Sequence, residues 1–110
     1  MIVGVLQLEV HLPGVGSLKE KRHAFKGVKE RLRSRYNVSV AEDSELADRW
    51  QRAGLTIVSV ADRREPLDRL FDTIEREVES QIPGHLASSN LDFLELDDGD
   101  GDWDADGETL

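Results

Sequence analysis

The spacing of apolar residues changes once within the first 36 positions, and that change limits the folds open to the chain. From residue 2 to 12 the side chains alternate, with Ile2, Leu6, Leu8, Val10 and Leu12 on one face and Gln7, Glu9 and His11 on the other. That is the pattern of a strand with one buried face. Leu18, Phe25, Val28, Leu32 and Tyr36 then fall on one helical stripe, at about 100° per residue. Pro13-Gly14-Val15-Gly16 lies between the two. The glycines are expected to supply backbone angles that other residues avoid. Ser17 and Glu20 have the spacing of a capping box, so the helix is predicted to open at Leu18.

The remaining segments extend the alternation. Val38–Glu42 is short and β-branched, the polar stretch 43–48 reads as a loop, and Trp50–Ala61 reads as a second long strand. Asp62 and Glu65 repeat the capping-box spacing, and Pro66 fits a first helical turn. Leu67, Leu70, Phe71, Ile74 and Val78 give the second helix its apolar stripe, Pro83-Gly84 ends it, and a last strand is expected within Leu91–Leu96. The order is β-α-β-β-α-β, an α+β fold of ferredoxin-like type with both helices on one face of an antiparallel sheet. One domain over 1–96 accounts for this pattern, followed by a tail over 97–110.

The other sheet face is then open. Val3 and Val5 point to it, and the second long strand is apolar in both registers, through Leu55 and Ile57 and through Val58 and Val60. Part of that face should be apolar. Either it meets a partner, a homodimer being the plain reading, or the last strand and the loops cover it. Trp50 fits a core or a dimer anchor.

The net charge of −9 hides a polarised chain. Nine of the 23 acids lie in Asp92–Leu110, which has no Lys or Arg, so residues 1–91 are neutral. Within them Ser17–Tyr36 holds eight Lys or Arg against two Glu. Lys19, Arg22, Lys26, Lys29 and Arg33 share one flank of the helix, spread over about 80°. Cations at this density suit a phosphate backbone, and they equally suit a solvated helix face. Lys21 lies toward the core and is expected to anchor the loop.

His11-Leu12-Pro13-Gly14 with Ser17-Leu18-Lys19-Glu20-Lys21-Arg22 resembles the signature of the YlxP-like family, small bacterial proteins of unassigned function. Further matching segments are Asn37-Val38-Ser39-Val40-Ala41-Glu42, Trp50-Gln51-Arg52-Ala53 and Val60-Ala61-Asp62. Together they cover most of 1–96, and the acidic tail is not part of the pattern. The resemblance implies a ferredoxin-like fold. It also implies genes often found beside those for ribosome-binding factor A and a translation initiation factor, a pointer toward ribosome-related work.

Other chemistries fare worse. Gly14, Gly16 and Ser17 could form an anion-binding loop at the helix start. The loop lacks the arginine-bearing motif of acylphosphatases, which share this topology, and no third glycine completes a dinucleotide fingerprint. Stacking of RNA bases on the sheet calls for aromatics at the centre of the long strands. The first has none and the second offers Trp50 near its start. His11, at the end of a strand, His23, on a polar helix face, and His85, in a loop, have no metal-ligand spacing. Asp102-x-Asp104-x-Asp106-Gly107 matches the opening of a calcium loop, without its closing Glu. The composition of the tail reads instead as disordered. No apolar run is long enough for a membrane span, strand one starts where a signal peptide would lie, and no cysteine is present, so a cytoplasmic location is expected.

The expectation is a non-catalytic protein without cofactor or metal, associating with RNA or a ribosomal particle through Lys19, Arg22, Lys26, Lys29 and Arg33. The rival is a homodimeric interaction module that docks a partner on its open sheet face.

Overall fold

The computed structural model describes residues 1–14, 16–43, 51–82 and 84–97. The chain runs β1 (Ile2–His11), α1 (Leu18–Arg35), β2 (Ser39–Glu42), β3 (Arg52–Ala61), α2 (Arg64–Gln81) and β4 (His85–Glu95). The strands form one antiparallel sheet in the order β2-β3-β1-β4. This is the ferredoxin-like arrangement that the alternation of periods predicts.

The long central strands set the register. Ile2 lies opposite Ala61 and His11 opposite Arg52 along the full length of the β1–β3 pair. Leu6, Leu8 and Val10 of β1 therefore share a face with Ala53, Leu55 and Ile57 of β3, and all six are buried. Phe25, Val28 and Leu32 of α1 close on them with Leu67, Phe71, Ile74 and Val78 of α2. Each such side chain contributes about 1.5–3 kcal/mol on burial. Gly4 makes room for this layer: a Cβ there would fall on Cε2 of Phe71. A glycine at that point lets the Phe71 ring sit directly against β1.

Four boundaries differ from the sequence expectation. The last strand begins at His85, six residues before Leu91. Its first half, His-Leu-Ala-Ser-Ser-Asn, has poor strand propensity, but β1 holds it in register from His11–His85 to Ile2–Glu95, with one irregularity between Glu9 and Val10. Asp62 does not cap α2. The N-cap is Arg63, without a side-chain hydrogen bond. With Asp62 as cap, Pro66 would stand at the fourth helical position, where an N–H must close the first intrahelical bond. Starting one residue later puts the missing N–H in the first turn, where none is needed. The two middle strands also start later than expected, at Ser39 and Arg52. Trp50 and most of the 43–48 loop lie outside the described residues, as does the tail beyond Asp97.

Candidate nucleic-acid interface

α1 starts where the sequence places it. Ser17 has extended backbone angles, φ −160° and ψ 162°, and its Oγ accepts from the Glu20 N–H at 3.2 Å. Glu20 reaches back, its Oε2 accepting from the Gly16 N–H at 2.8 Å. A cap of this kind stabilises the helix by about 1 kcal/mol. The same bonds alter the anion-loop reading of Gly14, Gly16 and Ser17. Two of the donors an anion would use, the Gly16 and Glu20 N–H groups, are already turned to side chains, the Glu20 carboxylate of the first helical turn and the Ser17 hydroxyl. Neither glycine takes a left-handed φ, and a Cβ at Gly14 would meet nothing within 4 Å. The loop is a capping device with its own anion.

The basic flank of α1 divides in two. Lys19, Arg22 and Lys26 are exposed, and none pairs with a carboxylate among the described residues. Lys29 and Arg33 lean onto the edge strand. Lys29 Nζ lies 3.5 Å from Glu42 Oε1, and Arg33 Nη2 donates to the Val40 carbonyl at 2.8 Å. The flank therefore faces the β2 edge, and its last two cations help hold the helix there. Lys21 lies toward the core as expected: it is 1% exposed, among the buried side chains of α1, with its Nζ 3.9 Å from Glu42 Oε2. Glu42 thus faces two lysines of α1. Leu18 and Tyr36, expected in the core stripe, are only half-buried. The other flank of α1 meets α2, where Arg35 pairs with Glu77 and the Tyr36 hydroxyl donates to Glu77 Oε1 at 3.3 Å.

The open face of the sheet is split by composition. Val3, Val5 and Val58 are half-buried there, while Val60 is 53% and Leu94 58% exposed. These five gather at the end where β1 begins, since Val3 lies opposite both Val60 and Leu94, and Val5 opposite Val58. Leu55 and Ile57 point the other way, into the core. The opposite end of the face is polar: a shallow depression of about 230 Å³ is lined by Gln7, Glu9, Asp43, Thr56, Ser88 and Asn90. Asn90 Nδ2 donates to Gln7 Oε1 at 3.5 Å and to Asp92 Oδ2 at 3.1 Å, and Arg52 pairs with Glu9. Sequence reasoning missed this depression, although the outward register of β1 and β3 already carried its polar residues.

Among the described residues the open faces of β1 and β3 carry no Phe, Tyr or Trp. Phe93 of β4 belongs to the helix side, with Arg64 stacked over its ring at 4.2 Å. His85 is in a strand, not a loop, and its ring meets that of His11 edge-to-face with centroids 5.2 Å apart. His23 is exposed on α1. No group of three or more potential metal ligands comes together among the described residues, and no helix there is long and apolar enough to cross a membrane.

Comparison with known proteins identifies the family. A family model described as a protein of unknown function, DUF503, matches residues 3–91. An uncharacterized protein of Bacillus subtilis (strain 168), YlxP, is 35% identical over 63 residues, which cover 57% of this chain and 67% of that one. A de novo designed protein with a ferredoxin fold, solved by solution NMR, aligns over 91% of this chain and 89% of its own at 14% identity and a TM-score of 0.46. The chain belongs to the DUF503 family, of which YlxP-like proteins are the relatives its motifs resemble.

Proposed function

We propose that this DUF503 protein is a non-catalytic, cytoplasmic accessory factor that associates with RNA, or with a ribosomal particle, through the β2-facing flank of α1. One observation carries the reading. Lys19, Arg22 and Lys26 stand exposed in a line with no carboxylate against them among the described residues, on a helix whose opposite side is fixed in the core. Cations held on a rigid element and left unneutralised suit phosphate contact. Recognition is by charge and shape, because the sheet offers no aromatic platform on its long strands. Lys29 and Arg33 steady the helix and add to the local potential. Titrating a fluorescent single-stranded RNA at several salt concentrations tests this. Three phosphate contacts give a slope of about −2 in log K against log salt. Salt-independent binding, or none at low salt, overturns it.

A second reading rests on a different observation, the exposed valines and Leu94 at one end of the open sheet face. A contiguous apolar patch of this kind suits a protein partner, and a second copy of the chain is the simplest one.

A further inference from the structure

The acids beyond the described residues are not scattered. Asp98, Asp100, Asp102, Asp104, Asp106 and Glu108 occupy every second position, with Gly99, Gly101, Trp103, Ala105, Gly107 and Thr109 between them. In an extended chain successive side chains point to opposite sides. The pattern would therefore set six carboxylates on one side, at steps of about 7 Å. A merely solubilising tail needs the charge but not the alternation.

The exposed flank of α1 is the complement. Its cations, Lys19, Arg22, Lys26, Lys29 and Arg33, recur every three or four residues, or about 5 Å along the axis. The geometry allows the two to meet. The Leu96 N–H donates to the Met1 carbonyl at 2.8 Å, so the tail leaves the domain where β1 begins. α1 ends at that same end, since Ser59, opposite Gly4, bonds the Asn37 carbonyl just past the helix. From there the sheet is about 14 Å wide from β4 to β2. The flank then runs about 21 Å from Arg33 to Lys19. Thirteen residues beyond Asp97 span up to about 44 Å when extended.

We propose that residues 102–108 dock as an extended segment along the β2-facing flank of α1 in the same chain, with residues 98–101 crossing the sheet end and the carboxylates beyond them against Lys19, Arg22 and Lys26. The protein then carries its own competitor for whatever polyanion this flank binds. The proposal uses the surface assigned above to RNA, but its test contains no RNA, so either can fail without the other.

The chain has no cysteine, so Ala105→Cys, on the side of the segment away from the acids, accepts a single nitroxide label in the full-length protein. Paramagnetic broadening of amide signals is then read at low and high salt. At about 20 mM salt the amides from Arg22 to Lys29 are expected to lose at least about half their intensity. At about 500 mM, where screening acts over only a few ångströms, they are expected to recover it. The broadening should not change on tenfold dilution. A permuted tail of the same composition, with its acids contiguous, should broaden α1 less. Broadening confined to Ile2 and Leu94–Leu96, broadening of Val3, Val58 and Val60 on the open face, dependence on protein concentration, indifference to salt, or no effect of the permutation each overturns the proposal.

Discussion

Glu42, on the edge strand β2, holds its Oε2 3.9 Å from the Nζ of Lys21, a lysine that is 1% exposed. The same carboxylate faces Lys29 through its other oxygen, at 3.5 Å. β2 is only four residues long, too short for its ladder with β3 alone to fix it firmly. Glu42 adds a charged tie between that strand and α1. Glu42→Ala is therefore expected to lower unfolding stability by about 1–3 kcal/mol, the usual range for leaving a buried polar partner poorly satisfied. Lys21→Met keeps the volume and removes the buried charge, and should change stability by no more than about 1 kcal/mol. Urea unfolding of both variants decides. Equal losses would mean that the ion pair itself is net stabilising, since both variants remove it and both keep the packing of the residue 21 stem.

Gly4 and Gly14 make opposite demands. A methyl group at Gly4 would strike the Phe71 ring, whereas at Gly14 it would meet open space. Gly4→Ala is expected to cost about 1–3 kcal/mol as an overpacked core position. Gly14→Ala should shift stability by less than about 0.5 kcal/mol, as an unremarkable surface change does. Thermal unfolding of the pair checks the ranking. A costly Gly14→Ala would restore a conformational role for the loop glycine.

That contrast shows what the sequence could and could not express. Gly14 and Gly16 stand out because they lie together in a loop, yet a glycine under steric demand sits inside β1, at Gly4, where alternation simply reads as a small residue on the buried face. The helices and long strands were legible because Leu6, Leu8, Val10 and Phe25, Val28, Leu32 repeat with distinct periods. The start of β4 was not, since Ser88, Ser89 and Asn90 are held by pairing with β1, and pairing leaves no trace in local composition. The basic flank was legible from helical spacing alone. Its division into exposed cations and cations tied to β2 was not, because Glu42 and Val40 are distant in sequence from the lysine and arginine they engage. His11 and His85 meet for the same reason, across a register that only the folded sheet defines.

Binding and stability should separate along α1. Lys19→Ala, Arg22→Ala and Lys26→Ala each remove an exposed cation. Each is expected to weaken RNA binding and to flatten the salt slope by about 0.7 on single strands, with thermal unfolding nearly unchanged. Arg33→Ala removes the bond to the Val40 carbonyl, and should cost about 0.5–1.5 kcal/mol of stability besides any loss of affinity. Anisotropy titrations paired with melting curves distinguish the two classes. If all four variants lose stability alike, the flank is structural throughout and the RNA reading loses its support.

The open sheet face sets the last expectation. Val3, Val5, Val58, Val60 and Leu94 cluster at one end, while Gln7, Glu9, Thr56 and Asn90 occupy the other. Three strands of about ten residues and a fourth of four, at about 4.8 Å spacing and about 3.3 Å per residue, give a face of roughly 550 Å². Stable interfaces bury about 800 Å² per partner. A face of that size with one apolar half should support a dimer that dissociates on dilution. Light scattering is therefore expected to give twice the chain mass at high micromolar concentration, falling toward the monomer as the protein is diluted. Val5→Lys, which places a charge at the centre of the patch, should shift the equilibrium to monomer without unfolding the domain, because desolvating an unpaired ammonium is costly. A wild type that remains monomeric at every concentration would leave this face without a self-partner, and the docking module would then need a different protein to bind.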